Sequence, residues 1–261
     1  MPPAGVSGEP RAKVRMVTSG RSDRSHDRHL NAYLRTTAHL AALPPPPVWC
    51  RRDPMKLTDD HRSALADVLR WRRDVRHFRS DPLDPALLRR LRSSMDRAPS
   101  VGNARPWRVV QVEDRAVRAR IVAIFEACNA EAARSYDSDA RRDYLALKLA
   151  GLREAPVHLA VFTDLAVAEG RGLGRRTMPE TLAYSTVMAI HTLWLAARAE
   201  NVGLGWVSIL DPAEVAAALG VPPNWSLTGY LCLGRAQTET DTPLLHETGW
   251  QEDTQTRWQI L

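Results

Sequence analysis

Five consecutive residues, Arg72-Arg73-Asp74-Val75-Arg76, set three guanidinium groups and one carboxylate directly after an apolar helical pattern. Arginine forks are shaped to hold a phosphate through paired hydrogen bonds. A carboxylate opposes an anion, so phosphate binding alone does not account for Asp74. The combination suits a ligand with a phosphate at one end and a proton to be moved at the other. The competing reading is an exposed, self-neutralising charge cluster at a helix end.

Two further stretches could border such a ligand. Ala98-Pro99-Ser100-Val101-Gly102-Asn103-Ala104-Arg105-Pro106-Trp107 is turn-rich and offers backbone donors and small side chains to a flat molecule. An ordinary helix-to-strand connection has the same composition. Gly203-Leu204-Gly205-Trp206-Val207-Ser208-Ile209 reads as a strand whose glycines let another group come close to its backbone. Its lone hydroxyl, Ser208, stands among apolar neighbours, and a buried serine bonded to backbone is the plainer account. Gly172-Leu173-Gly174 lacks the third glycine of a dinucleotide loop and reads as a flexible surface loop. His158 and His191 stand singly in apolar stretches and His26 and His29 lie near the start, so no metal set is expected. No serine elbow, phosphate-cradling loop or HExxH helix is present.

The elements that must position these residues alternate. Asp59 or Asp60 caps a helix running to about Arg72, and Asp84-Pro85 opens a second through Leu87, Leu88, Leu91 and Met95. Strands are predicted at 107–112, 157–162, 204–210 and 227–233, with a long helix through Val117, Ile121, Ile124, Phe125 and Cys128. From Glu180 to Glu200 the apolar residues cover most of a helix circumference. Such a helix must be buried all round, and a second subunit is the expected source of that cover. Helices flanking a few short buried strands predict a single α+β domain over residues 54–261.

Residues 1–53 are rich in Arg, Ser and Pro and reach Pro44-Pro45-Pro46-Pro47, which reads as a disordered extension. They carry 9 basic and 4 acidic residues, against 27 and 26 in the remainder, so the net charge of +6 belongs mainly to this extension. A nearly neutral globular part argues against nucleic-acid binding. No apolar run reaches membrane-spanning length. Cys50, Cys128 and Cys232 are far apart and odd in number, which predicts a reducing, cytoplasmic setting without a disulfide framework.

Taken in order, Arg-Arg-Asp-Val-Arg, Ala-Pro-Ser-Val-Gly-x-x-x-Pro-Trp, Met178-Pro179-Glu180 with Tyr184-Ser185, and Gly205-Trp206-Val207-Ser208-Ile209 resemble the flavin-dependent nitroreductase family over about residues 60–250. Asp74, where ordinary members carry Ser, is similar to the branch that makes 5,6-dimethylbenzimidazole, the lower ligand of vitamin B12. The resemblance implies a mainly antiparallel α+β fold and a homodimer with FMN in clefts at the subunit interface. It assigns phosphate and ribityl contacts to Arg72, Arg73 and Arg76, and the border of the flavin ring to Ser100 and Gly102. Val75, Leu149, Pro179 and Arg235 complete the flavin-contacting set, and Tyr144–Leu149 matches a lid. Asp74 is implied as general base and Ser208 as a proton relay. Reduced FMN reacts there with O2 and is consumed, giving erythrose 4-phosphate beside dimethylbenzimidazole. A flavin reductase supplies reduced FMN, so NAD(P)H enters indirectly. Asn103 and Arg235 depart from this branch toward ordinary nitroreductases, in which NAD(P)H reduces a recycled FMN.

Overall fold

In a computed structural model describing residues 55–260, four strands form one antiparallel sheet. These are β1 (Trp107–Gln111), β2 (Val157–Asp164), β3 (Gly203–Val207) and β4 (Trp225–Gly234), in the order β1-β2-β4-β3. Seven helices accompany them: α1 (Asp59–Trp71), α2 (Pro85–Met95), α3 (Arg115–Arg134), α4 (Ser138–Ala146), α5 (Thr181–Ala199), α6 (Pro212–Leu219) and α7 (Leu244–Glu247). The site described below lies wholly within the unit that contains residues 65–261. The predicted extension over 1–53 lies outside the described residues.

Local chemistry starts the helices where the sequence indicates. The Asp84 carboxylate accepts the Ala86 N–H at 2.8 Å ahead of Pro85, and Asp114 accepts those of Ala116 and Val117 at 2.7 and 3.1 Å. Asp211 caps α6 before Pro212, and Gly220 ends it in the left-handed conformation. Each cap satisfies backbone groups the helix cannot.

Alternation along the central strands sorts the core into two layers. Leu159, Val161, Leu231 and Leu233 face α2 and α5, meeting Leu87, Leu91, Ile190 and Leu193. Ala160, Phe162, Tyr230 and Cys232 face α3 and α6, meeting Ile121, Ile124, Val215 and Leu219. All eight residues of β2 are buried, as a strand covered on both faces requires. The α+β reading with a mainly antiparallel sheet is therefore what the chain adopts.

Within one chain the α5 helix is covered on one side and open on the other. Leu182, Ala189, Ile190, Leu193 and Ala197 are buried, while Tyr184, Val187 and Met188 are exposed within this chain. Their spacing of three and four residues makes them one outward stripe. Strand β3 ends at Val207, so Ser208 lies just past it and is exposed instead of buried. Among the described residues Cys128 and Cys232 are free, and no helix is long and apolar enough to cross a membrane.

Candidate active site

The segment after α1 runs alongside β3. Asp74 pairs with Leu204 in a parallel bridge, and the Val75 N–H donates to the Leu204 carbonyl at 3.0 Å. Gly205 makes this approach possible, since a Cβ there would lie 2.1 Å from the Val75 carbonyl oxygen. The glycines of the strand thus admit a backbone partner that precedes them by about 130 residues.

This contact aims Asp74. Its Oδ1 accepts the Trp206 N–H at 2.8 Å, and its Oδ2 accepts Arg76 Nε at 3.0 Å. A carboxylate offers roughly four lone-pair sites, so about two remain for a ligand. The side chain is 31% exposed, which leaves those sites reachable. Arg76 is more enclosed, at 13%, and its Nη1 also donates to the Lys148 carbonyl at 3.2 Å.

The other two arginines diverge. Arg72 lays its guanidinium over the Trp194 ring, 4.9 Å from the centroid, and forms no ion pair among the described residues. Burial there, then the charge of Arg73, lower its pKa, and Asp74 acts in the opposite sense. An anion beside Arg72 would offset that desolvation. Arg73 instead donates to main-chain carbonyls, Arg72 at 2.7 Å, Asp241 at 2.6 Å, and Arg70. It caps the end of α1, although its Nε is buried with no partner among the described residues.

Ser100 and Gly102 belong to a second group. Ser100 Oγ accepts the Arg105 N–H at 3.1 Å, and the Val101 N–H donates to Ser185 Oγ at 3.0 Å. Gly102 adopts φ +55° and fits closely against the Gly170 and Leu173 carbonyls, either of which would lie 3.0 Å from an added Cβ. Pro179 is exposed just before α5, and Arg235 is exposed just after β4. Ser185 and Trp194 place the two groups on one helix, about 14 Å apart along its axis at 1.5 Å per residue. The exposed residues Tyr184, Val187 and Met188 lie on the same helix.

Leu149 lines a cleft of about 190 Å³ with Phe125, Asn129, Arg153 and Glu154. Glu154 holds Lys148 Nζ at 2.6 Å. No cluster of metal-ligating side chains occurs among the described residues. Sequence reasoning missed Trp206 as a donor to Asp74 and Trp194 as the support of Arg72. Each lay within a stretch that it had singled out, but nothing local signals a main-chain donor or a stacking surface.

Known proteins resemble this chain in sequence and fold. The chain is 56% identical over 205 residues to a 5,6-dimethylbenzimidazole synthase of Rhodobacter capsulatus, covering 78% of this chain and 99% of the relative. A 5,6-dimethylbenzimidazole synthase of Rhodospirillum rubrum is also 56% identical, over 73% of this chain and 90% of that one. Among solved structures, an iodotyrosine deiodinase bound to FMN and 3-iodo-L-tyrosine superposes with TM-score 0.60 at 21% identity, covering 76% of this chain and all of that one. A nitroreductase with bound FMN from Desulfitobacterium hafniense gives 0.54 at 20% identity, covering 74% and 98%. The model of the nitroreductase family matches residues 69–235, from the last turn of α1 to Arg235, and the chain belongs to that family.

Proposed function

We propose that the chain is a 5,6-dimethylbenzimidazole synthase whose substrates are reduced FMN and O2. The observation that carries this reading is the Asp74 carboxylate, pinned by Trp206 and Arg76 yet open to a ligand, beside Arg72, which makes no ion pair among the described residues. The high identity to synthases over nearly their whole length supports it.

The residues fit a flavin. Arg72 offers a desolvated cation for a phosphate, and the turn around Ser100 and Gly102 supplies the small-residue border for a ring. Reduced FMN held there would supply the ring atoms that O2-dependent fragmentation turns into dimethylbenzimidazole, with erythrose 4-phosphate from the ribityl arm and the pyrimidine part of the ring leaving as the remaining fragments. Asp74 acts as general base toward the ribityl arm, its orientation held by one main-chain N–H and one guanidinium. Ser208, exposed two residues beyond Trp206, reaches the ligand from the end of β3 and relays a proton. Leu149 and its neighbours exclude water from the reacting atoms. Arg73 serves the site indirectly, by fixing the turn from which Asp74 departs.

The site is completed by a second copy of the chain. Both residue groups contact α5, through Ser185 and Trp194, and the stripe of Tyr184, Val187 and Met188 on that helix is exposed among the described residues. A flavin reductase that draws on NAD(P)H delivers the reduced FMN.

Mixing the purified protein with reduced FMN in air and following dimethylbenzimidazole by mass spectrometry tests this. Asp74→Ala is expected to lower the rate by about 10²–10⁴-fold, the usual contribution of a positioned base, while FMN binding persists. A wild-type protein that forms no product, yet oxidises NAD(P)H with nitroaromatics on a retained yellow FMN, would place it with the flavin-recycling enzymes.

A further inference from the structure

We infer that Arg76 is a positioning residue for Asp74 and also the clasp of the 147–154 segment, so that aiming the carboxylate and closing that segment are one event. The inference rests on the role proposed for Asp74. One planar guanidinium makes both contacts, Nε to Asp74 Oδ2 at 3.0 Å and Nη1 to the Lys148 carbonyl at 3.2 Å. Because the fork is rigid, satisfying one bond orients the donor of the other. Two of its five N–H donors are used, and the others remain for a ligand.

On the far side of the clasp the backbone is irregular. Lys148, Leu149 and Ala150 lie in neither helix nor strand. Lys148 is tied to Glu154, at 2.6 Å, within the same segment, and so gains no anchor to the rest of the fold. Gly151 supplies a second attachment by packing on the Phe78 ring, 2.4 Å from the position of an added Cβ. Release of Arg76 therefore removes the hydrogen bond from the Asp74 segment to Lys148 and leaves Lys148–Ala150 spanning between Tyr144 of α4 and the Ala150–Gly151 contacts. Asp74 opposes that release, because its charge keeps Arg76 in place.

Proteolysis reads this directly. The chain has three lysines, Lys13, Lys56 and Lys148, so a lysine-specific protease cuts the folded region between Asp59 and Ile260 at Lys148 alone. In the full chain without flavin, Arg76→Gln is expected to speed that cut about tenfold, as for loss of a partly exposed charge-assisted bond. Asp74→Asn, which keeps the shape and removes the charge, should speed it about threefold by the same reasoning. The double variant should cut no faster than Arg76→Gln, since Asp74 then has nothing to hold. Asp211→Ala, which weakens a distant helix cap, reports the share of cutting that passes through global unfolding.

Rescue separates positioning from packing. Arg76→Lys can keep the ion pair with Asp74 but not the forked geometry. At saturating reduced FMN it should recover most of the turnover lost in Arg76→Gln while the cut stays fast. A wild-type rate of cutting in Asp74→Asn, or multiplicative effects in the double variant, would overturn the clasp. Turnover as poor in Arg76→Lys as in Arg76→Gln would overturn the positioning role. Absence of product from the wild type with the cutting pattern intact would remove the synthase reading and leave the clasp standing.

Discussion

On one face of the sheet α3 and α6 close over Ala160, Phe162, Tyr230 and Cys232, whereas on the other α5 covers Leu159, Val161, Leu231 and Leu233 and turns a second apolar stripe outward. The closed face holds its polar groups in internal pairs. His158 Nε2 donates to the Ala155 carbonyl at 3.2 Å, and Tyr230 Oη donates to Nδ1 at 3.0 Å, the arrangement a neutral imidazole requires. Burial, then the charge of Arg118, hold the pKa of His158 down at about 4. Burial likewise pushes the Cys232 thiol up to about 12, which makes it inert. On the open face the polar groups near the two ends of α5 are the proposed ligand contacts, and Tyr184, Val187 and Met188 between the helix ends are exposed. The proposed chemistry thus lies on the more exposed face of the sheet, away from the fully buried pairs.

The sharpest way to break that comparison is to charge the stripe. Val187→Asp combined with Met188→Asp is expected to weaken self-association by about a thousandfold, since two unpaired charges would enter an apolar contact. Sedimentation should show monomers, with product formation lost. A dimer that survives both charges means that the stripe is not the interface.

The closed face makes an opposite prediction, about pH. As pH falls below about 6.5 the unfolded chain protonates His158, and the native core refuses that proton down to about 4. Its contribution to stability is complete above that window and declines through it, by about 2–3 kcal/mol at pH 4.5. Urea unfolding of wild type and His158→Gln at pH 7.5 and 4.5 measures this, and the dependence should flatten in the variant. Equal pH dependence in the two proteins would show that the pair is not buried in its neutral form.

Gly205 tests the seam where the Asp74 segment meets β3. Gly205→Ala must displace a carbonyl, not a flexible side chain, and should cost about 1–3 kcal/mol as overpacking does. A matching fall in melting temperature, with turnover reduced further than stability, is the expected pattern. The smallest effect is expected from deleting residues 1–53, which should leave the synthase rate unchanged, since none of the proposed site residues comes from them. A rate that collapses on deletion would give the extension a role in the chemistry.

Much of this architecture was legible locally. Asp84-Pro85 is a helix start by capping chemistry alone, and alternation placed all four strands to within about three residues at either end. Helix α4 escaped the element reading because Ser-Asp-Ala-Arg-Arg-Asp-Tyr-Leu-Ala carries too few apolar residues to show a stripe. Ser208 was assigned to the interior of a strand, since apolar neighbours in sequence say nothing about where pairing with β4 stops.

By itself the sequence determined which groups are available: three arginines around one carboxylate, a strand thinned by glycines, and a helix apolar on too many sides to stand alone. Tertiary structure alone decided their division of labour. It sent Arg73 to the carbonyls at the end of α1, Arg72 to the Trp194 ring, and Arg76 to Asp74 and Lys148. The three guanidinium groups are chemically alike, and only partners distant in the chain distinguish them. Those partners arrive when the sheet and α5 assemble, because hydrogen bonds and stacking act over a few ångströms in space whatever the separation along the backbone.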